Sequence, residues 1–293
     1  MGPLLALASA LLYGIADVAG GLLSRRANFA AVALAGQLGG LLLTLAAVPL
    51  VSGSAPTVPD LAWGALSGVG TGLGMVFLYR GLSRGAMSVV VPVSAVNGLA
   101  LPVLAGVVLM GDRPSALAWL GVAAAVPALW LVSLNGEHSG EHSGEHGGER
   151  GDGPASRAAT ADAMIAGVGI GVQYLALAQA GAESGLWPVV AGRCTAALAI
   201  LPLLRVSNER PPEPLPVRLV PWAALTGGLA ALALVCYMLA ARLQLVAVAV
   251  VLSSLYPAVP VLLGVTVLRE RLCRAQAAGL AAVAAAIVLL AAG

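Results

Sequence analysis

Residues 102–106 read PVLAG, and residues 260–264 read PVLLG, 158 positions further along the chain. Further identical residues recur at the same offset: Tyr79 and Tyr237, Arg84 and Arg242, Gly121 and Gly279. Self-similarity at a fixed offset is the signature of a repeated structural unit. The sequence therefore predicts that two copies of one unit build the fold.

The amino-acid composition indicates whether this unit lies in water or in a membrane. The chain has 293 residues, of which 59% are hydrophobic and only 10% are charged. Soluble proteins carry about 25% charged residues, and a chain this apolar cannot hide its surface from water. These values exclude a soluble enzyme, a secreted disulfide scaffold and a nucleic-acid binder. They predict a membrane protein with many spans.

Ten apolar runs are long enough to cross a bilayer, which takes about 20 residues each. They cover residues 3–23, 30–51, 61–82, 88–110, 117–134, 161–180, 186–204, 221–241, 245–268 and 275–292. A low-complexity stretch rich in Gly, Glu, His and Ser, residues 135–160, separates five runs from five and is predicted to be a disordered linker. Because five is odd, the two copies would enter the membrane with opposite orientation. We expect an all-α membrane protein of two inverted five-helix repeats, residues 1–134 and 161–293.

A second motif closes the fourth span of each copy. In the first copy Gly111-Asp112-Arg113 follows PVLAG, and in the second Arg269-Glu270-Arg271 follows PVLLG. Together these motifs resemble those of EamA-type permeases of the drug/metabolite transporter superfamily. The family pattern is a proline, an apolar stretch and then Gly-Glu-Arg, so Asp112 and Arg269 depart from it. The resemblance implies a secondary transporter that moves a small metabolite or drug by alternating access. It leaves the substrate open, and a lipid-carrier flippase or a non-transporting receptor or assembly protein remains an alternative.

Two charged residues fall inside predicted spans. A charge at mid-span costs about 2.5–3.5 kcal/mol, so Asp17 and Arg193 are expected to face a partner or water. Arg193 would bind a substrate anion, pair with Asp17, or cap carbonyl groups at a broken helix. Asp17 would exchange protons with the bulk solution, as proton-coupled transport requires, or form a solvated pair with Arg25 or Arg26.

Prolines bracket polar residues at similar depth in the fourth span of each copy, Pro92 and Pro102 in the first and Pro257 and Pro260 in the second. Interrupted helices in corresponding positions indicate a transport site, so Asn97, Ser253 and Ser254 are predicted to line the path together with Tyr256. The alternative is that these groups form polar contacts between helices. The remaining candidate residues are Tyr13, Gln37, Gln173 and Tyr174.

The sequence gives little support for a metal site, a cofactor site, an enzyme active site or an ATP-binding site. His138, His142 and His146 would share a helical face, but the Gly and Ser around them disfavour a helix, so neither a metal site nor a cofactor is expected. No histidine falls in a predicted span, which argues against an intramembrane enzyme. Because no Walker A loop is present, a proton or solute gradient would supply the energy. Expected partners are lipid, a small-molecule substrate and protons, in a bacterial plasma membrane.

The sequence leaves the orientation of the chain open. Most arginines lie in loops that follow odd-numbered spans, which by the positive-inside rule places both termini outside the cell. The family resemblance implies the reverse, with both termini in the cytoplasm.

Overall fold

A computed structural model describes residues 1–51, 53, 55–105, 115–133, 154–206, 215–243, 252–253, 255–269, 272 and 274–292. Within these residues the chain is all-helical. The first five α-helices are Gly2–Ser24 (α1), Phe29–Ala47 (α2), Val58–Arg84 (α3), Met87–Ala105 (α4) and Ala116–Ser133 (α5). The next five are Pro154–Ala178 (α6), Trp187–Val206 (α7), Val220–Leu243 (α8), Ala258–Thr266 (α9) and Arg274–Ala292 (α10).

Six described helices are long and apolar enough to cross a membrane. They are α1, α2, α3, α6, α7 and α8, and shorter apolar stretches lie in α4 and α10. The chain is thus an integral, multi-pass membrane protein. The described residues give fewer full-length spans than the ten predicted, in part because residues 106–110 and 245–251, which belong to two of the predicted spans, lie outside the described part.

Local sequence signals explain where α2 and α3 begin. The side-chain oxygen of Asn28 accepts hydrogen bonds from the backbone N–H groups of Ala30 and Ala31, as an N-cap does. Thr57 and Asp60 form a reciprocal capping box, and a proline occupies the first turn of α3. Both helices therefore start where the side chains satisfy otherwise unpaired backbone donors.

Two predicted boundaries differ from the structure. Helix α6 begins at Pro154, inside the stretch predicted to be a linker, because a proline in the first turn favours a helix start and the helix extends beyond the apolar run. Helix α4 continues through Pro92, where an interruption was predicted. A proline there removes only one backbone hydrogen bond, and neighbouring helices keep the segment helical. The corresponding region of the second half does contain a turn, Leu255–Pro257, before α9.

Helices of the first half pack mainly on helices of the second half. Helix α3 makes its most extensive contacts with α6 and α7, and α8 makes its own with α1 and α2. Further contacts join α4 to α6, α5 to α10, and α2 to α7. The boundary between the halves is therefore the principal internal surface of the molecule.

Glycines allow two pairs of helices to touch at this boundary. A Cβ atom added to Gly68 of α3 would overlap the carbonyl oxygen of Gly192 of α7. One added to Gly227 of α8 would overlap the carbonyl oxygen of Gly36 of α2. Small residues at such crossings let backbones approach closely in membranes.

Polar contacts join α3 to α6 at both ends. Near the end of α3, Arg80 donates from Nε to Asp162 of α6 over 3.0 Å, and the guanidinium of Arg84 lies 3.6 Å from the same carboxylate. At the start of α3, the carboxylate of Asp60 accepts from the backbone N–H of Gly181, just after α6, over 2.7 Å. The two helices therefore run antiparallel and are tied at each end.

Candidate functional site

A cavity of about 110 Å³ lies where the two halves meet. Six helices line it, α1, α2, α3, α6, α7 and α8, together with Tyr256 from the turn before α9. Since one water molecule needs roughly 10–15 Å³ by this measure, the cavity holds about 7–11 water-sized groups. The polar residues that line it are Tyr13, Asp17, Gln37, Ser67, Thr71, Tyr79, Gln173, Tyr174, Arg193, Thr226 and Tyr256.

Arg193 is the cation among the described residues that line the cavity. Its Nη1 donates a hydrogen bond to Oε1 of Gln37 over 2.9 Å. The side chain of Gln37 is almost completely buried, at 2% exposure. A Cβ atom at Gly40, one turn further along α2, would lie 3.1 Å from the guanidinium carbon, so the glycine makes room for Arg193.

Asp17 of α1 lines the same cavity and is buried. Within the described part of the chain it makes neither an ion pair nor a hydrogen bond. The predicted pair with Arg193 is therefore not formed, and neither is a pair with Arg25 or Arg26. Arg25 instead donates to the backbone carbonyls of Leu82 and Gly85. A buried carboxyl group without a partner destabilises a membrane protein, so one that is retained there usually has a function.

The chain has only five tyrosines, and all of them lie at or near the cavity. Four of them line it, and the fifth, Tyr237, lies close enough to Tyr13 and Tyr174 to interact with them electrostatically. The rings of Tyr13 and Tyr256 lie 6.2 Å apart, tilted by 57°, in the range of favourable aromatic pairs. The walls therefore combine flat apolar surfaces with hydroxyl groups.

Tyr79 lines the cavity together with the two charged residues. Its ring packs against Gly20 of α1, where a Cβ atom would overlap the phenol. Its hydroxyl group is hydrogen-bonded to Thr226 of α8 and interacts electrostatically with both Asp17 and Arg193. Sequence reasoning did not select Tyr79 as a site residue, although its recurrence as Tyr237 in the repeat was a usable signal.

The structure brings together seven of the ten residues that the sequence singled out. They are Tyr13, Asp17, Gln37, Gln173, Tyr174, Arg193 and Tyr256. Asn97, on α4, does not line the cavity, and its amide donates to the sulfur of Met164 on α6 over 2.8 Å. The hydroxyl of Ser253 donates to the carbonyl of Ala6 over 3.4 Å and does not line the cavity. Ser254 lies outside the described residues.

Ser67, Thr71 and Thr226 line the cavity but were not among the predicted residues. Small hydroxyl residues in apolar helices usually bond to the backbone of the preceding turn, and Thr71 does so, donating to the carbonyl of Ser67 over 2.9 Å. Nothing in the sequence distinguishes such a residue from one that faces a cavity.

The described residues contain no group of three His, Cys, Asp or Glu side chains placed to hold a metal ion. The histidines of the predicted linker, His138, His142 and His146, lie outside those residues. The chemistry available in the cavity is therefore that of its hydroxyl, amide, guanidinium and carboxyl groups.

Comparisons with known proteins agree with this architecture. The family model described as the EamA-like transporter family matches residues 1–134 and, separately, residues 161–292. No curated protein matches the chain. One solved crystal structure of a protein is 21% identical and covers 98% of this chain and 94% of its own, with a TM-score of 0.58. At that identity the likeness shows a shared fold.

Proposed function

Because the chain belongs to the EamA-like transporter family, we propose that it is a secondary active transporter of a small solute. It works by alternating access, is coupled to protons through Asp17, and resides in a bacterial plasma membrane. The cavity between the halves is the site that the solute occupies during transport.

The observation that carries this proposal is the pair of opposite charges in one cavity. Asp17 and Arg193 both line it, and no ion pair joins them. Charged residues within membrane spans are expensive, and those retained there usually mark ion or substrate pathways. The carboxyl group of Asp17 and the guanidinium of Arg193 have no ion-pair partner among the described residues, so they are available to a proton and a solute, respectively.

The helix packing supports a rocking mechanism. Each helix of one half has a counterpart five places away in the helix order, so that α3 corresponds to α8. When every helix is exchanged with its counterpart, the α3–α6 contact becomes α8–α1 and the α3–α7 contact becomes α8–α2. The α4–α6 contact likewise maps onto α9–α1, and all of these contacts occur. The glycine contacts follow the same exchange, because Gly68 with Gly192 corresponds to Gly227 with Gly36. Two such halves, related by an axis in the membrane plane, can alternate between equivalent states.

Asp17 suits the coupling role because of its surroundings. Its carboxyl group is neutral when protonated and charged when not, and burial makes the energy of the cavity sensitive to that change. Proton binding at Asp17 therefore alters what the cavity accepts and which state of the transporter is favoured. This is the requirement for coupling two fluxes.

The test uses proteoliposomes loaded with a pH-sensitive dye. A panel of amino acids, nucleobases, sugars and organic cations is added in turn, with and without an imposed pH gradient. We expect at least one solute to drive proton flux in the wild type but not in Asp17→Asn. The matched control is Glu183→Gln, which changes an exposed carboxylate outside the cavity.

Two outcomes would count against the proposal. Proton flux that persists in Asp17→Asn at the wild-type level would remove Asp17 as the coupling residue. Solutes that bind the purified protein but never cross the bilayer would remove transport itself.

A further inference from the structure

We propose that Arg193 and Gln37 form a subsite for the anionic group of the solute, and that the transported molecule is a small carboxylate. This inference rests on the proposed function, since it assumes that the cavity is the transport site. It adds the chemical class of the substrate and assigns a positioning role to Gln37.

The geometry of Arg193 suits an anion. A guanidinium group carries five N–H donors in a planar fork, and one nitrogen, Nη1, donates to Gln37. Among the described residues no carboxylate lies within ion-pair distance of Arg193. The other donors therefore remain available at the wall of the cavity, where they match the two oxygens of a carboxylate.

Gln37 holds the guanidinium without neutralising it. A carboxylate at this position would pair with Arg193 and cancel its charge, whereas an amide oxygen accepts the hydrogen bond and leaves the positive charge in place. Gln37 is 2% exposed, and the closely packed α2–α8 contact surrounds it, so its side chain is itself fixed. The missing side chain at Gly40 then determines how closely the guanidinium approaches α2.

The cavity limits the size and charge of the ligand. Its volume of about 110 Å³ accommodates a small molecule of a few carbon atoms or a single ring. When Asp17 is protonated, Arg193 is the cation that balances one negative charge, which favours a carboxylate over a phosphate dianion. Tyr13 and Tyr79 line the same cavity as Arg193 and supply hydroxyl groups to its wall.

The experiment compares matched acids and amides. Purified full-length protein in nanodiscs is titrated with lactate and lactamide, with benzoate and benzamide, and with glycerol phosphate and glycerol. In at least one carboxylate pair we expect the acid to bind roughly tenfold more tightly than the amide, as expected for a buried charge-assisted hydrogen bond. The phosphate pair should show a smaller preference.

Substitutions of Arg193 and Gln37 test anion binding separately from the stability of the fold. Arg193→Gln should abolish the preference for the acid, and Arg193→Lys should recover only part of it because the planar fork is lost. Gln37→Glu should abolish the preference by pairing with Arg193, and Gln37→Ala should weaken acid binding while leaving amide binding unchanged. The control is Arg218→Gln, which removes an exposed arginine outside the cavity.

Equal affinities within every pair, or a preference that survives Arg193→Gln, would overturn the inference. So would a larger preference in the phosphate pair than in the carboxylate pairs. Flux measured in proteoliposomes with the same compounds distinguishes this failure from failure of the proposed function. Flux without acid preference contradicts the subsite alone, whereas acid binding at Arg193 without any flux contradicts transport alone.

Discussion

The guanidinium of Arg193 on α7 donates a hydrogen bond over 2.9 Å to the side-chain oxygen of Gln37 on α2. This bond connects the two halves of the chain at the wall of their shared cavity, close to the α2–α8 contact between Gly36 and Gly227. The polar wall of the cavity and the packing of α2 on α8 are therefore adjacent, and we expect a solute bound at Arg193 to affect the contact between the halves.

The first prediction concerns that helix contact. Gly227→Ala places a methyl group against the carbonyl oxygen of Gly36 and should destabilise the protein by about 1–3 kcal/mol through overpacking. Gly228→Ala is the matched control, since a Cβ atom there has nothing within 4 Å. Thermal unfolding in detergent should show a clear loss for Gly227→Ala and none for Gly228→Ala. Equal stabilities of the two variants would show that the α2–α8 contact is looser than described.

The second prediction concerns the ion pairs between α3 and α6. Asp162 is buried and faces Arg80 and Arg84. Asp162→Asn removes the charge and should cost about 1–3 kcal/mol of stability, because both guanidinium groups lose a charged acceptor. A double-mutant cycle with Arg80→Ala, followed by thermal unfolding, should give a non-additive result. Strictly additive losses would mean that the pair contributes no coupling energy.

The third prediction concerns Tyr79. Tyr79→Phe keeps the ring that packs on Gly20 but removes the hydroxyl that bonds to Thr226. The fold should survive, with a stability loss of roughly 0.5–1.5 kcal/mol. The solute concentration for half-maximal flux should rise, because Tyr79 lines the same cavity as the two charged groups. Unchanged flux kinetics would place the hydroxyl outside the binding site.

Sequence patterns predicted part of the fold well, and the reasons are local. The first apolar run, residues 3–23, coincides with α1 because a bilayer requires an apolar run of that length, and the one charged residue within it, Asp17, does not interrupt the helix. The start of α6 was placed seven residues too late, since composition shows where a membrane span begins but not where its helix begins. Pro92 was read as an interruption because the sequence does not show the neighbours that support α4.

The sequence singled out cavity-lining residues where the residue type is costly in a membrane. Asp17 and Arg193 stood out because a charge in a span demands an explanation. Ser67, Thr71 and Thr226 did not, since hydroxyl groups in helices have an inexpensive backbone partner. Asn97 was predicted to line the path, but its amide bonds to Met164 and does not face the cavity.

The most direct test of the central claim is the accessibility of the cavity from each side of the membrane. Cys194, Cys236 and Cys273 are first replaced by alanine, and Thr71→Cys then places a thiol on the cavity wall at the middle of α3. In sealed vesicles of known orientation, a membrane-impermeant thiol reagent should label this cysteine from either side, because access alternates. Labelling from one side only, unchanged by a saturating solute, would contradict alternating access through this cavity.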